Sequence, residues 1–129
     1  MLFEDLEAFR KFAAEFAKTL RAPVCVALHG GLGAGKTEFA RAVIREIQGL
    51  ETIVPSPTFT LAQNYGDIYH FDLYRLKNAR ELEEIGFFDA LTKNIVLVEW
   101  PEIAAESLPP GTIHIHISIK GDGRELVII

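Results

Sequence analysis

The chain has 129 residues, 49% of them apolar, and its 13 Lys and Arg against 18 Asp and Glu give a formal net charge of −5. That supports one compact domain spanning 1–129 with a substantial core and leaves no room for a second. No apolar run nears the roughly 20 residues that cross a bilayer; acidic Glu4, Asp5 and Glu7 stand where a signal peptide is basic, and no Lys/Arg cluster offers a direct grip on DNA or RNA, so a soluble cytoplasmic protein is expected.

Leu2, Leu6, Phe9, Ala13, Phe16 and Leu20 recur every three to four residues and predict an amphipathic helix that ends near Arg21-Ala22-Pro23. Val24 to Leu28 reads as a buried strand. Its Cys25, the only cysteine, is expected to be a small core residue without a disulfide partner.

Directly after that strand, Gly30-Gly31-Leu32-Gly33-Ala34-Gly35-Lys36-Thr37 satisfies the phosphate-loop pattern G-x-x-x-x-G-K-[ST]. A triphosphate needs many N–H donors aimed at one point, so the backbone must curl into a nest that side chains obstruct. Gly30, Gly31, Gly33 and Gly35 are expected to permit that curl. Nucleotide is then expected along Gly31, Leu32, Gly33, Ala34 and Gly35, with Lys36 on the terminal phosphates, the Thr37 hydroxyl on Mg²⁺, and Glu38 beside them. Phe39, Ala40, Val43, Ile44 and Ile47 repeat at helical spacing up to Gly49, so a helix begins at Lys36 and presents its free N–H groups to the anion.

Pro55-Ser56-Pro57 forbids helix and predicts an extended or turning loop. Phe59 to Tyr65 and Ile68 to Leu73 read as a hairpin turning at Gly66-Asp67. Asn78 with Glu81 is a capping pair for a short helix over 79–85, followed by Gly86 and a second helical stretch, Phe87 to Leu91. Ile95 to Val98 is a buried strand. Ile113, Ile115, Ile117 and Ile119 alternate with polar residues, and Gly121-Asp122-Gly123 then turns into a last strand, Arg124 to Ile129. The order implies a three-layer α/β phosphate-loop domain with a mixed central sheet, flanking helices, and its ligand at the carboxyl ends of the strands.

Hydrolysis also needs a carboxylate at a neighbouring strand end to hold Mg²⁺ or orient water. Asp72 closes Ile68 to Phe71 and Glu99 closes Ile95 to Val98; each reads either as that acid or as a solvated strand end. Ser56 and Thr58 read as phosphate-contacting switch residues or as a polar turn. Arg75 reads first as a surface ion pair with Asp72 or Glu84 and second as a charge for the transition state. His114 and His116 share one strand face without an evident third metal ligand and are read as solvated; Trp100 reads as core, as a shelf for a base or as a partner contact, with core favoured by residue type alone.

The blocks Gly33-Ala34-Gly35-Lys36-Thr37, Ser56-Pro57-Thr58-Phe59-Thr60-Leu61, His70-Phe71-Asp72-Leu73-Tyr74-Arg75-Leu76 and Val98-Glu99-Trp100-Pro101-Glu102 resemble, in order and spacing, the bacterial TsaE (YjeE) family over essentially the whole chain. The resemblance implies a small cytoplasmic ATPase needed for making threonylcarbamoyladenosine beside the tRNA anticodon. It also implies that ATP binding and hydrolysis reset the TsaB–TsaD pair, in which TsaD transfers the group and through which tRNA is met. By the resemblance, Lys36 binds β- and γ-phosphate, Thr37 and Asp72 serve Mg²⁺, Glu99 holds the metal or positions water, and Ser56 and Thr58 match a switch segment.

Two positions depart from the family pattern: Gly31, where many members carry an acid, and Glu38, where a second Thr follows the first. An anionic Glu38 beside the phosphates is expected to repel nucleotide unless it turns outward or pairs with a cation such as Arg41. The competing readings are a small-molecule phosphate-loop kinase, for which the chain has little length left for a lid, and a nucleotide-gated binding module without useful turnover.

Overall fold

The computed structural model describes residues 1–55 and 61–129. In chain order the elements are β1 (Leu2–Phe3), α1 (Leu6–Ala17), β2 (Val24–His29), α2 (Lys36–Gln48), β3 (Ala62–Tyr65), β4 (Ile68–Asp72), α3 (Glu81–Glu84), α4 (Phe87–Leu91), β5 (Ile95–Glu99), a 3₁₀ helix (Pro101–Ser107), β6 (Ile113–Lys120) and β7 (Gly123–Ile128). The strands form one seven-stranded sheet in the order β1-β7-β6-β2-β5-β4-β3. β2 runs parallel to both β5 and β6, and β4 parallel to β5, while the flanking pairs are antiparallel. The sheet is therefore mixed, as the sequence implies.

Two apolar layers follow from strand alternation, which sends successive side chains to opposite faces. On one face Val26, Leu28, Ile68, Leu97 and Ile115 meet Phe9 and Ala13 of α1 and Phe39, Val43 and Ile44 of α2. On the other, Cys25, Phe71, Val96 and Val98 meet Leu82 of α3, Phe87 of α4 and Ala104 of the 3₁₀ helix. Cys25 is a buried free thiol, and burial pushes its pKa up to about 11 against an opposing hydrogen bond with Thr112, so it is a core residue as expected.

The first helix starts later than the spacing predicts. Leu2 and Phe3 pair with Glu125 and Arg124 of β7 instead, and Leu2 is 62% exposed. Two forces outweigh the helical periodicity there: β7 gains a ladder partner for its edge, and the Asp5 carboxylate caps the helix by accepting from Ala8 N at 2.8 Å. The hairpin pairs Ala62 with Phe71 and Tyr65 with Ile68, across Gly66-Asp67; the part of its first strand expected over 59–60 lies outside the described residues. The hydrogen bonds of the capping pair are made, but the helix expected over 79–85 is shorter: residues 79–80 form a turn and α3 runs only Glu81–Glu84, with Arg80 at its N-cap. Asn78 Oδ1 accepts from Arg80 N at 3.0 Å, and Glu81 Oε2 accepts from Lys77 N at 2.6 Å and from Asn78 N at 3.4 Å. In β6, Ile115 and Ile117 are buried, but Ile119 is 53% exposed near the hairpin turn.

Candidate functional site

Strand β2 delivers the chain to the phosphate loop, and α2 leaves it. Gly35 at the helix entry has φ +118°, a left-handed conformation that favours glycine, and a Cβ there would lie 3.3 Å from the Phe9 ring. A Cβ on Gly30 would lie 2.6 Å from the Ile117 carbonyl oxygen, so this close approach also requires glycine. Gly31 differs from the expectation: it has open space around it and no such φ, so a side chain fits there.

The Lys36 ammonium donates to the carbonyls of Gly30 and Gly31 at 2.6 and 2.8 Å and lies 3.9 Å from the Trp100 ring centroid. Lys36 is 5% exposed, and burial lowers its pKa against the opposing fields of Glu99, Asp72 and Glu102. Trp100 is not the core residue that its type suggests. It is half-buried, adopts φ +54°, and its ring sits 4.7 Å from that of exposed Tyr74.

The two strand-end acids are register neighbours, because β4 and β5 run parallel and pair Asp72 with Glu99. Both are buried, so the solvated alternative falls for each. Strand alternation sends them to the same side as Ile68 and Leu97, the face that α2 covers. There Thr37 Oγ1 donates to the Glu99 carboxylate, 2.9 Å from Oε1 and 3.0 Å from Oε2. Burial raises the Asp72 pKa; the Tyr74 N–H, 3.0 Å from Oδ1, opposes the rise and the Glu99 charge adds to it.

A groove of about 230 Å³ is lined by Leu32, Gly33, Thr37, Asp72, Glu99 and Trp100 among others. A hydroxyl and two buried carboxylates converging beside a phosphate loop are the hard oxygen donors that Mg²⁺ takes together with water, so the residues present fit that ion. A larger groove of about 470 Å³ between α1 and α2 shares only Glu38 with this one and carries neither strand-end acid, which makes the smaller groove the candidate site.

Glu38 is turned away from isolation. Its carboxylate accepts from Arg41 at 2.6 Å and from Arg10 at 3.0 Å, and Arg41 also donates to the Val54 carbonyl. The pairing with Arg41 that the sequence left as the escape from repulsion is therefore made. Ser56 and Thr58 lie outside the described residues. Arg75 is exposed on the segment after β4.

His114 and His116 do share a face, yet they are not simply solvated. His29 Nε2 lies 2.9 Å from His114 Nδ1, and the His29 ring stacks on that of His116 at 4.3 Å and 11°. Glu102 Oε1 stands 3.8 Å from the other His29 nitrogen. Burial, then the charges of His116 and His114, lower the His29 pKa to about 4. Among the described residues no group of three or more His, Cys, Asp or Glu is arranged to hold a metal.

Two neighbours of the loop and one of Glu99 went unread in the sequence. Arg124 of β7 donates to the Ala34 carbonyl at 2.7 Å, a contact across 90 positions with no local signal. His29 precedes the loop directly. His70 is fully buried with Nε2 2.6 Å from Glu99 Oε2; its place two residues before Asp72 on one strand puts both on one face, and that period was the available clue.

The comparisons with known proteins agree with this architecture. The family model described as threonylcarbamoyl adenosine biosynthesis protein TsaE matches residues 3–126. The chain is 39% identical to the tRNA threonylcarbamoyladenosine biosynthesis protein TsaE of Rickettsia felis, over all of this chain and 78% of that one. It is 36% identical to the Bacillus subtilis protein of the same name, over 92% of this chain and 75% of that one. A crystal structure of Bacillus subtilis YdiB superposes with a TM-score of 0.79 at 28% identity, covering 99% of this chain and 82% of the other. With the sheet, the phosphate loop and these matches in agreement, the chain belongs to the TsaE family of threonylcarbamoyl adenosine biosynthesis proteins.

Proposed function

We propose that the chain is a single phosphate-loop ATPase domain that binds ATP and ADP with Mg²⁺ and hydrolyses ATP in support of tRNA threonylcarbamoyladenosine formation. In this reading its partners are the TsaB–TsaD pair in the cytoplasm, and tRNA is reached through that pair. The observation that carries the proposal is the bonding of Thr37 Oγ1 to both oxygens of Glu99, beside buried Asp72 and directly after the phosphate loop. The net charge of −5 supports leaving the tRNA backbone to partners, and among the described residues no helix is long and apolar enough to cross a membrane.

Each residue has a part that its position supports. The loop N–H groups and the start of α2 bind the phosphates. Lys36 exchanges two carbonyl partners for phosphate oxygens, a trade of neutral for charge-assisted hydrogen bonds. The Thr37 hydroxyl and the carboxylates of Asp72 and Glu99 would hold magnesium, which would supply neutralisation of phosphate charge. Glu99 orients water, and Trp100 covers the Lys36 side of the groove.

The test is phosphate release from Mg-ATP by the purified chain, alone and with TsaB, TsaD and substrate tRNA. Turnover that rises with the partners and vanishes in Lys36→Ala is the expected result. Association that depends on nucleotide but proceeds without turnover overturns hydrolysis in favour of a binding switch.

A further inference from the structure

His70 is the one described residue whose side chain is wholly buried, polar and yet half-satisfied: Nε2 meets Glu99 Oε2 at 2.6 Å, while Nδ1 has no hydrogen-bond partner among the described residues. A carboxylate only accepts, so Nε2–H is the donor. The pair is 0% and 3% exposed, which makes the bond strong and its loss costly. A buried imidazole that leaves one nitrogen bare and spends the other on a strand-end acid is poorly explained as packing. Leucine at this position, on the same strand face as buried Ile68, would leave no bare nitrogen.

We propose that His70 is a positioning residue that holds the Glu99 carboxylate in the phosphate groove. The inference rests on the ATPase reading above. Glu99 has two hydrogen-bonding partners from opposite directions in the chain, Thr37 at the start of α2 and His70 on β4. If the Thr37 hydroxyl were to serve the ion beside the phosphates, its bond to Glu99 would be given up. The His70 bond need not be, because His70 meets Glu99 without itself being one of the groove's lining residues. It would then be the bond that fixes Glu99 Oε2, leaving Oε1 free to serve the ion or its water. Groups that orient a metal-side carboxylate in this way are worth about 10- to 100-fold in metal affinity or activity when removed.

The experiment compares wild type with His70→Leu, His70→Gln, Glu99→Gln and the double variant His70→Leu/Glu99→Gln. Trp100, the only tryptophan, reports ADP binding by its emission with and without Mg²⁺, alongside phosphate release and thermal unfolding. In His70→Leu the gain in ADP affinity on adding Mg²⁺ is expected to shrink by about tenfold or more, with ADP affinity in the absence of Mg²⁺ within about threefold of wild type and the protein still folding cooperatively at a Tm lowered by several degrees. His70→Gln, which keeps an N–H donor, restores most of the Mg²⁺ response, and in the Glu99→Gln background His70→Leu adds no further loss. A His70→Leu protein that keeps the wild-type Mg²⁺ response, or whose loss adds in full to that of Glu99→Gln, overturns the inference while leaving the ATPase reading standing. A wild type with neither turnover nor any Mg²⁺ response overturns both.

Discussion

The Thr37 hydroxyl and the Glu99 carboxylate, 62 positions apart in sequence, share one bifurcated hydrogen bond, 2.9 Å to Oε1 and 3.0 Å to Oε2. It joins the residue after the phosphate-loop lysine to the end of the strand paired with β2. Removing the hydroxyl and keeping the shape isolates its role. Thr37→Val is expected to lower turnover by about 100-fold or more and to abolish the Mg²⁺ effect on nucleotide affinity, while Tm moves by only a few degrees because His70 still partners Glu99. Stopped phosphate release beside unchanged Mg²⁺-dependent binding would refute the assignment.

Glu38 is already neutralised by Arg41 at 2.6 Å and Arg10 at 3.0 Å, so it no longer acts as a bare anion beside the phosphates. Glu38→Thr is therefore expected to change ADP affinity by less than about threefold, since a half-exposed pair is worth little. Arg41→Ala leaves the carboxylate undercompensated and frees the Val54 carbonyl, and it should weaken ADP binding several-fold. Calorimetry on both variants decides the matter; tighter binding by Glu38→Thr of tenfold or more would restore the repulsion view.

Phe9 is fully buried, packs edge-on against Phe39 with centroids 5.8 Å apart, and backs the Gly35 corner of the loop. Phe9→Ala should cost about 3–5 kcal/mol of stability and weaken nucleotide binding as well, because the cavity opens behind a glycine that must stay at φ +118°. Phe9→Leu should recover most of both. Chemical denaturation and ADP titration measure the two effects in parallel, and loss of stability with unaltered binding would separate Phe9 from the loop.

His29 stays neutral down to about pH 4 in the folded chain, because burial and the adjacent His116 and His114 oppose another positive charge. Glu102, 3.8 Å away on the other side, opposes this only in part. The unfolded chain takes up that proton near the ordinary value of 6.5. Between these values the unfolded state binds more protons, so the contribution is complete above about pH 6.5, declines as pH falls through the window, and stops declining near pH 4. Tm is expected to drop by a few degrees from about pH 7 to about pH 5, and His29→Gln to flatten that slope. An unchanged slope in the variant would assign the pH dependence elsewhere.

Local features of the sequence determined the phosphate loop, the helix from Lys36 to a stop at Gly49, the capping pair Asn78 and Glu81, and the buried strand ending at Glu99. Each depends on residues within a turn or two of one another, where backbone sterics and hydrophobic period act directly. The same period misplaced Leu2, because a helical spacing cannot sense that β7 offers it a ladder partner more than a hundred residues away. Only the tertiary structure turned Asp72 and Glu99 into neighbours, through the parallel pairing of β4 with β5, and only it gave Glu38 the Arg10 of another helix. It likewise moved Trp100 from core to groove and hid His70 behind Glu99. Those outcomes depend on register and burial across the sheet, where free energy comes from groups brought together by the whole fold and not from any one segment.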